Sequence, residues 1–104
     1  MLHFRTLESY GREGVRALSS ATPVDSGLTA SSWDYNIQWN KNNVRLSWSN
    51  SNTTDRGTPI AILIQYGHGT KDGAYVQGRD FINPAIRPIF DKIADSVWQE
   101  VIGA

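Results

Sequence analysis

The chain has no cysteine, and this absence excludes disulfide bonds, thiolate metal ligands and a cysteine nucleophile. It also has no excess of either charge, since ten basic and ten acidic residues give a formal net charge of zero. Proteins whose main task is to bind the phosphate backbone of nucleic acids normally carry a basic surplus, so the charge balance argues against that class. A thin basic stripe of Arg5, Arg12 and Arg16 is interrupted by Glu8 and Glu13.

Long apolar runs are absent as well. The longest, at 60–64, is far shorter than the roughly 20 apolar residues that a membrane-spanning helix needs. The N-terminus has no apolar stretch of signal-peptide length, so we expect a protein that is made in the cytoplasm and has no membrane partner. The 104 residues suffice for a single small domain, and no repeat or linker divides them.

Strict alternation of apolar and polar residues is the clearest pattern in the sequence. It predicts a strand from Trp33 to Trp39 and a second strand over 44–49, joined by a short turn that contains asparagine. The face that carries Trp33, Tyr35, Ile37 and Trp39 is expected to be buried under the C-terminal helix. This hairpin is therefore predicted to be the central unit of the sheet.

Two long helices are predicted on either side of the hairpin. Apolar residues and glycines at steps of three and four predict the first helix over 2–20. The second follows an apolar stripe from Ile89 to Val101. Its start is expected either at Asn83, with a kink caused by Pro88, or later, at Arg87-Pro88. The predicted fold class is therefore α+β, a small antiparallel sheet built on a central hairpin and covered by an N-terminal and a C-terminal helix.

The segments between these elements are less regular. Residues 58–66 fit a short helix with Thr58 as N-cap and Gly67 as C-cap, although the isoleucine-rich run also fits a buried strand. Two polar, glycine-containing segments, 50–57 and 67–80, are expected to be exposed and mobile loops that become ordered in an assembly.

The stretch YGHGTKDGAYVQGRDF, at 66–81, is where a catalytic or phosphate-binding loop would lie. It matches neither a Walker loop nor a dinucleotide-binding loop, because the required order of glycine and lysine is missing. His68 has Asp72 and Asp80 nearby, but no second histidine gives it a metal-ligand spacing. We therefore expect no enzyme activity, no cofactor and no metal. The alternative is a small oligomeric enzyme or ligand-binding module that uses His68, Asp72 and Arg79.

An interface role suits the charged and aromatic residues of this stretch better. Arg79 follows a glycine and precedes Phe81, so it is placed to form a two-pronged contact with a carboxylate across a protein interface. Pairing with Asp80 or with solvent fits the spacing equally well. The predicted assembly interface consists of His68, Lys71, Asp72, Tyr75, Arg79 and Asp80.

Three segments, in this order along the chain, resemble the small tail-component proteins of long-tailed bacteriophages. They are ATPVDSGLTASSW (21–33), IQYGHGT (64–70) and GRDFINPAI (78–86). The family comprises the neck or tail-completion proteins of head–tail joining, and the resemblance covers nearly the whole chain. It implies an α+β protomer without catalytic residues.

The resemblance also implies an assembly, a location and partners. Such a protomer would form a homo-oligomeric ring, expected to be a hexamer, in the neck of the virion. The ring would contact connector or head-closure proteins on the capsid side and tail-terminator or tail-tube proteins on the other side, and DNA would only pass through it. Two features depart from the family pattern: the first helix begins almost at Met1, and GHGTKDGAY is longer and more polar than the shortest family versions.

Overall fold

The computed structural model describes the backbone of residues 4–23, 27–41, 43–69 and 73–103 and, of these, the side chains within 5–96. The fold is α+β, as predicted, with helices at both ends and two small antiparallel sheets. No helix in the described ranges is both long and apolar enough to cross a bilayer. The elements in chain order are α1 (Phe4–Ala21), α2 (Gly27–Ala30), β1 (Trp33–Trp39), β2 (Val44–Asn50), α3 (Ile60–Tyr66), β3 (Gly67–Gly69), β4 (Tyr75–Gln77) and α4 (Ile82–Gly103).

The predicted first hairpin, β1–β2, is confirmed, with a regular register from Trp33 opposite Asn50 to Trp39 opposite Val44. Burial of its apolar face decreases toward the tip. Trp33 packs against the core, whereas Trp39 is 55% exposed. The prediction that Trp39 is buried is therefore wrong, because the core of the protein lies at the base of the hairpin.

Helix α1 covers the apolar face of the first hairpin by means of two glycines. A β carbon on Gly11 would come within 3.0 Å of the Tyr35 ring, and one on Gly14 within 3.0 Å of the Trp48 indole. The indole Nε1 of Trp48 also donates a hydrogen bond to the carbonyl oxygen of Gly11, at 2.9 Å. Glycine lowers the stability of an isolated helix by roughly 1 kcal/mol relative to alanine, but here it makes room for two aromatic rings.

The core lies between α1, α4 and the base of the first hairpin. Leu18 of α1 is buried against Ile86 and Ile89 of α4. Helix α4 also reaches the hairpin directly, since the Phe90 ring meets the Trp48 ring edge-on with centroids 5.8 Å apart. Both terminal helices therefore cover the sheet, but the apolar face of the first hairpin lies mainly under α1, at Gly11 and Gly14, and not under the C-terminal helix as predicted. Helix α4 contacts the hairpin at its flank.

The segment between β2 and α3 is exposed for much of its length, as predicted, but it is hydrogen-bonded along its course. Asn50 is buried, and its Nδ2 donates to the carbonyl oxygen of Thr29 at 2.8 Å. The backbone N–H of Ile60 donates to the carbonyl oxygen of Asn52 at 2.9 Å. Asn50, the last residue of β2, and Asn52 thus tie α2 and α3 to the first hairpin. The mobility of the segment in the free protomer stays a prediction.

Residues 60–66 are helical, which decides the alternative that the sequence left open. The helix begins one residue later than predicted, because its N-cap is Pro59 in extended geometry without a side-chain cap. The assignment of Thr58 as N-cap is therefore wrong; its carbonyl oxygen accepts a hydrogen bond from the N–H of Thr54. Gly67 is the C-cap, as predicted.

The protomer is elongated, with principal-axis extents of 59 × 24 × 20 Å. Its radius of gyration is 16.3 Å, whereas a compact domain of this length has roughly 13 Å. Its accessible surface is 7459 Å², compared with roughly 5,800 Å² for a compact monomer of the same mass. The isolated protomer therefore exposes more surface than a self-sufficient domain of its size.

Candidate assembly surface around the second hairpin

The glycine-rich stretch forms a second hairpin, β3–β4, in which Gly67 lies opposite Gln77. The strands were not predicted from the sequence, because their glycines and polar residues do not show the alternation of apolar and polar residues that indicates a strand. Residues 70–72 lie outside the described residues, and with them the predicted interface residues Lys71 and Asp72.

At the base of the second hairpin, two glycines allow the backbone to pack directly against neighbouring backbone, including that of the end of α3. Gly67 has φ +82° and ψ 172°, a combination that is essentially restricted to glycine. A β carbon on Gly67 would come within 3.0 Å of the carbonyl oxygen of Val76. One on Gly78 would come equally close to the carbonyl oxygen of Gln65. The glycines of this stretch therefore serve close packing of the chain.

Substitution of Gly67 by alanine should open the second hairpin. We expect a loss of about 1–3 kcal/mol, because alanine at this φ and ψ is strained and its β carbon meets Val76. Gly69→Ala is the matched control, since a β carbon there has only an ordinary contact, 3.9 Å from the carbonyl oxygen of Ala74. Amide exchange over 67–77 measures the effect, and equal protection in the two variants would contradict the assignment.

Gln65 joins the end of α3 to the start of α4. It is only 6% exposed, and its Oε1 accepts hydrogen bonds from the backbone N–H groups of Phe81, at 2.9 Å, and Ile82, at 2.8 Å. Its Nε2 donates to Oδ1 of Asp80 at 2.6 Å. A glutamine from another helix thus satisfies N–H groups that the start of a helix leaves without partners. Helix α4 consequently begins at Ile82, one residue before the earlier predicted start, Asn83.

Of the predicted interface residues, Asp80 and Arg79 have different roles. Asp80 accepts from Gln65 and, at 3.3 Å, from Nδ2 of Asn83, so its carboxylate orders the start of α4. The backbone N–H of Arg79 donates to the carbonyl oxygen of Ile64 at 2.8 Å, while its side chain is exposed. Arg79 forms no ion pair with Asp80 or with any other described residue. Its guanidinium is available to a partner.

An exposed group of apolar residues lies on α3 and the second hairpin. Tyr66 is 66% and Tyr75 67% exposed, and the hydroxyl of Tyr75 donates to the carbonyl oxygen of Tyr66 at 3.0 Å. Ile62 lies one helical turn before Tyr66 and is 40% exposed. We call these three residues the tyrosine patch. Tyr75 was predicted; the spacing of four between Ile62 and Tyr66 is the signal that could have added the others.

The other face of the second hairpin borders a pocket of about 140 Å³. His68 and Val76, which lie opposite each other, line it together with Leu63 and Arg79. The Nδ1 atom of His68 is buried and has no hydrogen-bond partner among the described residues. Typical small-molecule sites have volumes of roughly 300–1,000 Å³, so this pocket has the size for a side chain of a partner protein.

Within the described ranges, no group of three or more histidine, aspartate or glutamate side chains is placed to hold a metal ion. Comparison of the chain with protein-family models, with curated proteins and with solved structures finds no match. The candidate site is thus a surface, formed by the tyrosine patch, the exposed Arg79 and the pocket beside His68.

Proposed function

We propose that this chain is a structural protein of the head–tail joining region of a bacteriophage, a neck or tail-completion protein. It assembles into a homo-oligomeric ring, a hexamer by its resemblance to the family, and contacts connector or head-closure proteins on one side and tail-terminator or tail-tube proteins on the other. The observation that carries the proposal is the tyrosine patch, which exposes two aromatic side chains on a framework fixed by hydrogen bonds. Exposed aromatic side chains, and an exposed arginine that forms no ion pair with a described residue, are typical of protein interfaces.

The positions of the family-like segments support this proposal. IQYGHGT (64–70) and GRDFINPAI (78–86) lie against each other through the hydrogen bonds of Gln65 and of the Arg79 backbone. The residue types that these segments share with the family thus have a structural role here, which is to hold the second hairpin and the start of α4 together. Tyr66 and Arg79, from the same segments, are left exposed.

The elongated shape also supports assembly. A small domain buries a limited fraction of its surface, and contacts with other subunits can supply the burial that it lacks. The extra accessible surface of this protomer is available for such contacts.

Arg79→Ala is expected to leave the fold intact and to weaken assembly. The side chain has no partner within the described protomer, and the hydrogen bond that Arg79 forms with Ile64 comes from its backbone. If the guanidinium meets a carboxylate of a partner, its loss should cost roughly 2–5 kcal/mol per buried site, since the carboxylate stays desolvated. Arg79→Lys should restore little, because an ammonium lacks the planar fork of a guanidinium.

Two measurements check this prediction: thermal unfolding of the isolated protein and the yield of tailed, infectious particles in a complementation assay. Arg56→Ala, which removes an exposed cation between β2 and α3, is the control and should change neither. A stable Arg79→Ala protein that gives a normal particle yield would contradict an interface role. An unfolded Arg79→Ala protein would show that the arginine side chain stabilises the fold.

Electron microscopy of particles from cells that carry the gene tests the function itself. The expected result is a ring of this chain between the capsid connector and the tail, with tailless heads when the gene is deleted. Full yield of tailed particles without the chain, or its absence from purified particles, would overturn the proposal. Neighbouring genes for portal, capsid and tail proteins are expected as well.

A further inference from the structure

Helix α1 exposes a cationic stripe. Arg5, Arg12 and Arg16 are exposed, and steps of seven and four residues return them to the same side of the helix. The acidic residues between them are less exposed and are occupied, since Glu8 pairs with Arg12 at 3.3 Å and Glu13 with a lysine of α4. Glu8 compensates the charge of Arg12, and Arg5 and Arg16 are the cations of this face that form no ion pair with a described residue.

Helix α4 exposes two carboxylates next to one guanidinium. Asp91 and Asp95 are both exposed, lie one helical turn apart, and are on the side of α4 away from the buried Ile86 and Ile89. Arg87, one turn before Asp91, is exposed on the same side. Neither carboxylate forms an ion pair with a described residue. At Asp91 and Asp95, α4 thus carries the charge opposite to that of the exposed arginines on α1, the helix packed beside it.

We propose that the outward face of α1 in one copy of the chain binds the outward face of α4 in the next copy, with Arg12 and Arg16 facing Asp91 and Asp95. Four residues span about 6 Å on either helix, so the two pairs of charges match in spacing. The inference rests on the proposed homo-oligomer and names its subunit contact. Because two different faces meet, the contact is head-to-tail, and such a contact forms a ring when the rotation between successive subunits closes.

The charges favour a second copy over the other candidate occupants. Contact of α1 with α1 would bring the arginines of two copies together, which disfavours a two-fold dimer through that face. Nucleic acid would meet the basic stripe of α1 but also Asp91 and Asp95 on the neighbouring helix. Exposed ion pairs contribute little affinity, so their role here is to select the partner face and its register.

Charge reversal tests the contact, with the mass of the assembled species as the readout. Arg12→Asp/Arg16→Asp has two acidic faces, and Asp91→Arg/Asp95→Arg has two basic faces. Each variant alone should need a roughly hundredfold higher concentration for half-assembly, because like charges would then face each other. An equimolar mixture should assemble with strict alternation of the two variants, and a chain with all four changes should assemble as the unmodified chain does.

Arg56→Asp is the matched control, since it reverses an exposed cation outside α1 and should not change assembly. In ~1 M salt, where the Debye length is about 3 Å, assembly of the unmodified chain should weaken. Thermal unfolding shows whether each charge-reversed chain folds. If one does not, Arg12→Gln/Arg16→Gln tests the contact instead, and it should weaken assembly by a smaller factor.

The outcomes separate this inference from the function proposed above. If the unmodified chain forms rings and both reversed variants form them equally well, the α1–α4 contact is wrong while the ring stands. If the α1 variant loses binding to a DNA duplex and keeps its assembly, the stripe serves phosphate and the inference is wrong. An unmodified chain that stays monomeric in solution and in particles would overturn the ring and the contact together.

Discussion

Trp48→Ala should lower the free energy of unfolding by about 3 kcal/mol, the lower end of the range for truncation of a large aromatic residue. The indole fills the space above Gly14, donates to the carbonyl oxygen of Gly11 and meets the Phe90 ring. Its removal would leave a cavity between α1, α4 and the first hairpin. These elements could close the cavity only by shifting, which would break other packing contacts.

Trp39→Ala is the matched control for this prediction. Trp39 lies in the same hairpin on the same face, but it is 55% exposed at the tip and is expected to cost less than about 1 kcal/mol. Urea unfolding of the two variants, with equal slopes of free energy against urea concentration, measures the difference. Equal losses would show that the core extends along the whole hairpin.

Gln65→Leu should cost about 2–4 kcal/mol, because two backbone N–H groups, those of Phe81 and Ile82, would lose their acceptor where Phe81 is buried. The leucine side chain has a similar volume, so the loss would come from hydrogen bonding. Gln77→Leu, at an exposed position, is the control and should change stability by less than about 0.5 kcal/mol.

A charge variant separates hydrogen bonding from packing at Gln65. In Gln65→Glu the carboxylate can still accept from both N–H groups, but it lies beside the carboxylate of Asp80 and cannot donate to it. We expect this variant to be destabilised in neutral solution and to be largely restored by Asp80→Asn, whose amide can donate. Thermal unfolding of the four chains in this cycle gives the coupling, and additive effects would contradict a direct interaction.

The elements with a regular apolar period could be predicted from the sequence. Alternation from Trp33 to Trp39 gave the first hairpin, and steps of three and four residues gave α1 and α4, because these patterns follow directly from strand and helix geometry. The same patterns do not show where a face is covered. Trp39 continues the alternation beyond the point where the core ends, so its exposure depends on the lengths and positions of other elements.

The hydrogen bonds that support the candidate site could not be predicted from the sequence, for a different reason. Gln65 is a polar residue in an apolar helix, and its partners Phe81 and Ile82 follow a segment of no periodic pattern. A hydrogen bond between residues 16 or 17 positions apart leaves no local signal. Arg79 and Tyr75 stand out in the sequence because an arginine and an aromatic residue among glycines are unusual locally, and their role in an interface stays a prediction.

The fit of two aromatic rings into the glycines of α1 has a consequence for how this protein can evolve. A side chain at position 11 would occupy the same space as the Tyr35 ring, and one at position 14 the same space as the Trp48 indole. A larger side chain on the helix therefore requires a smaller side chain on the facing strand, so packing is preserved only when both positions of a pair change together. Relatives that diverge far enough should therefore show covariation between positions 11 and 35 and between 14 and 48, while single changes at any of the four are removed by selection.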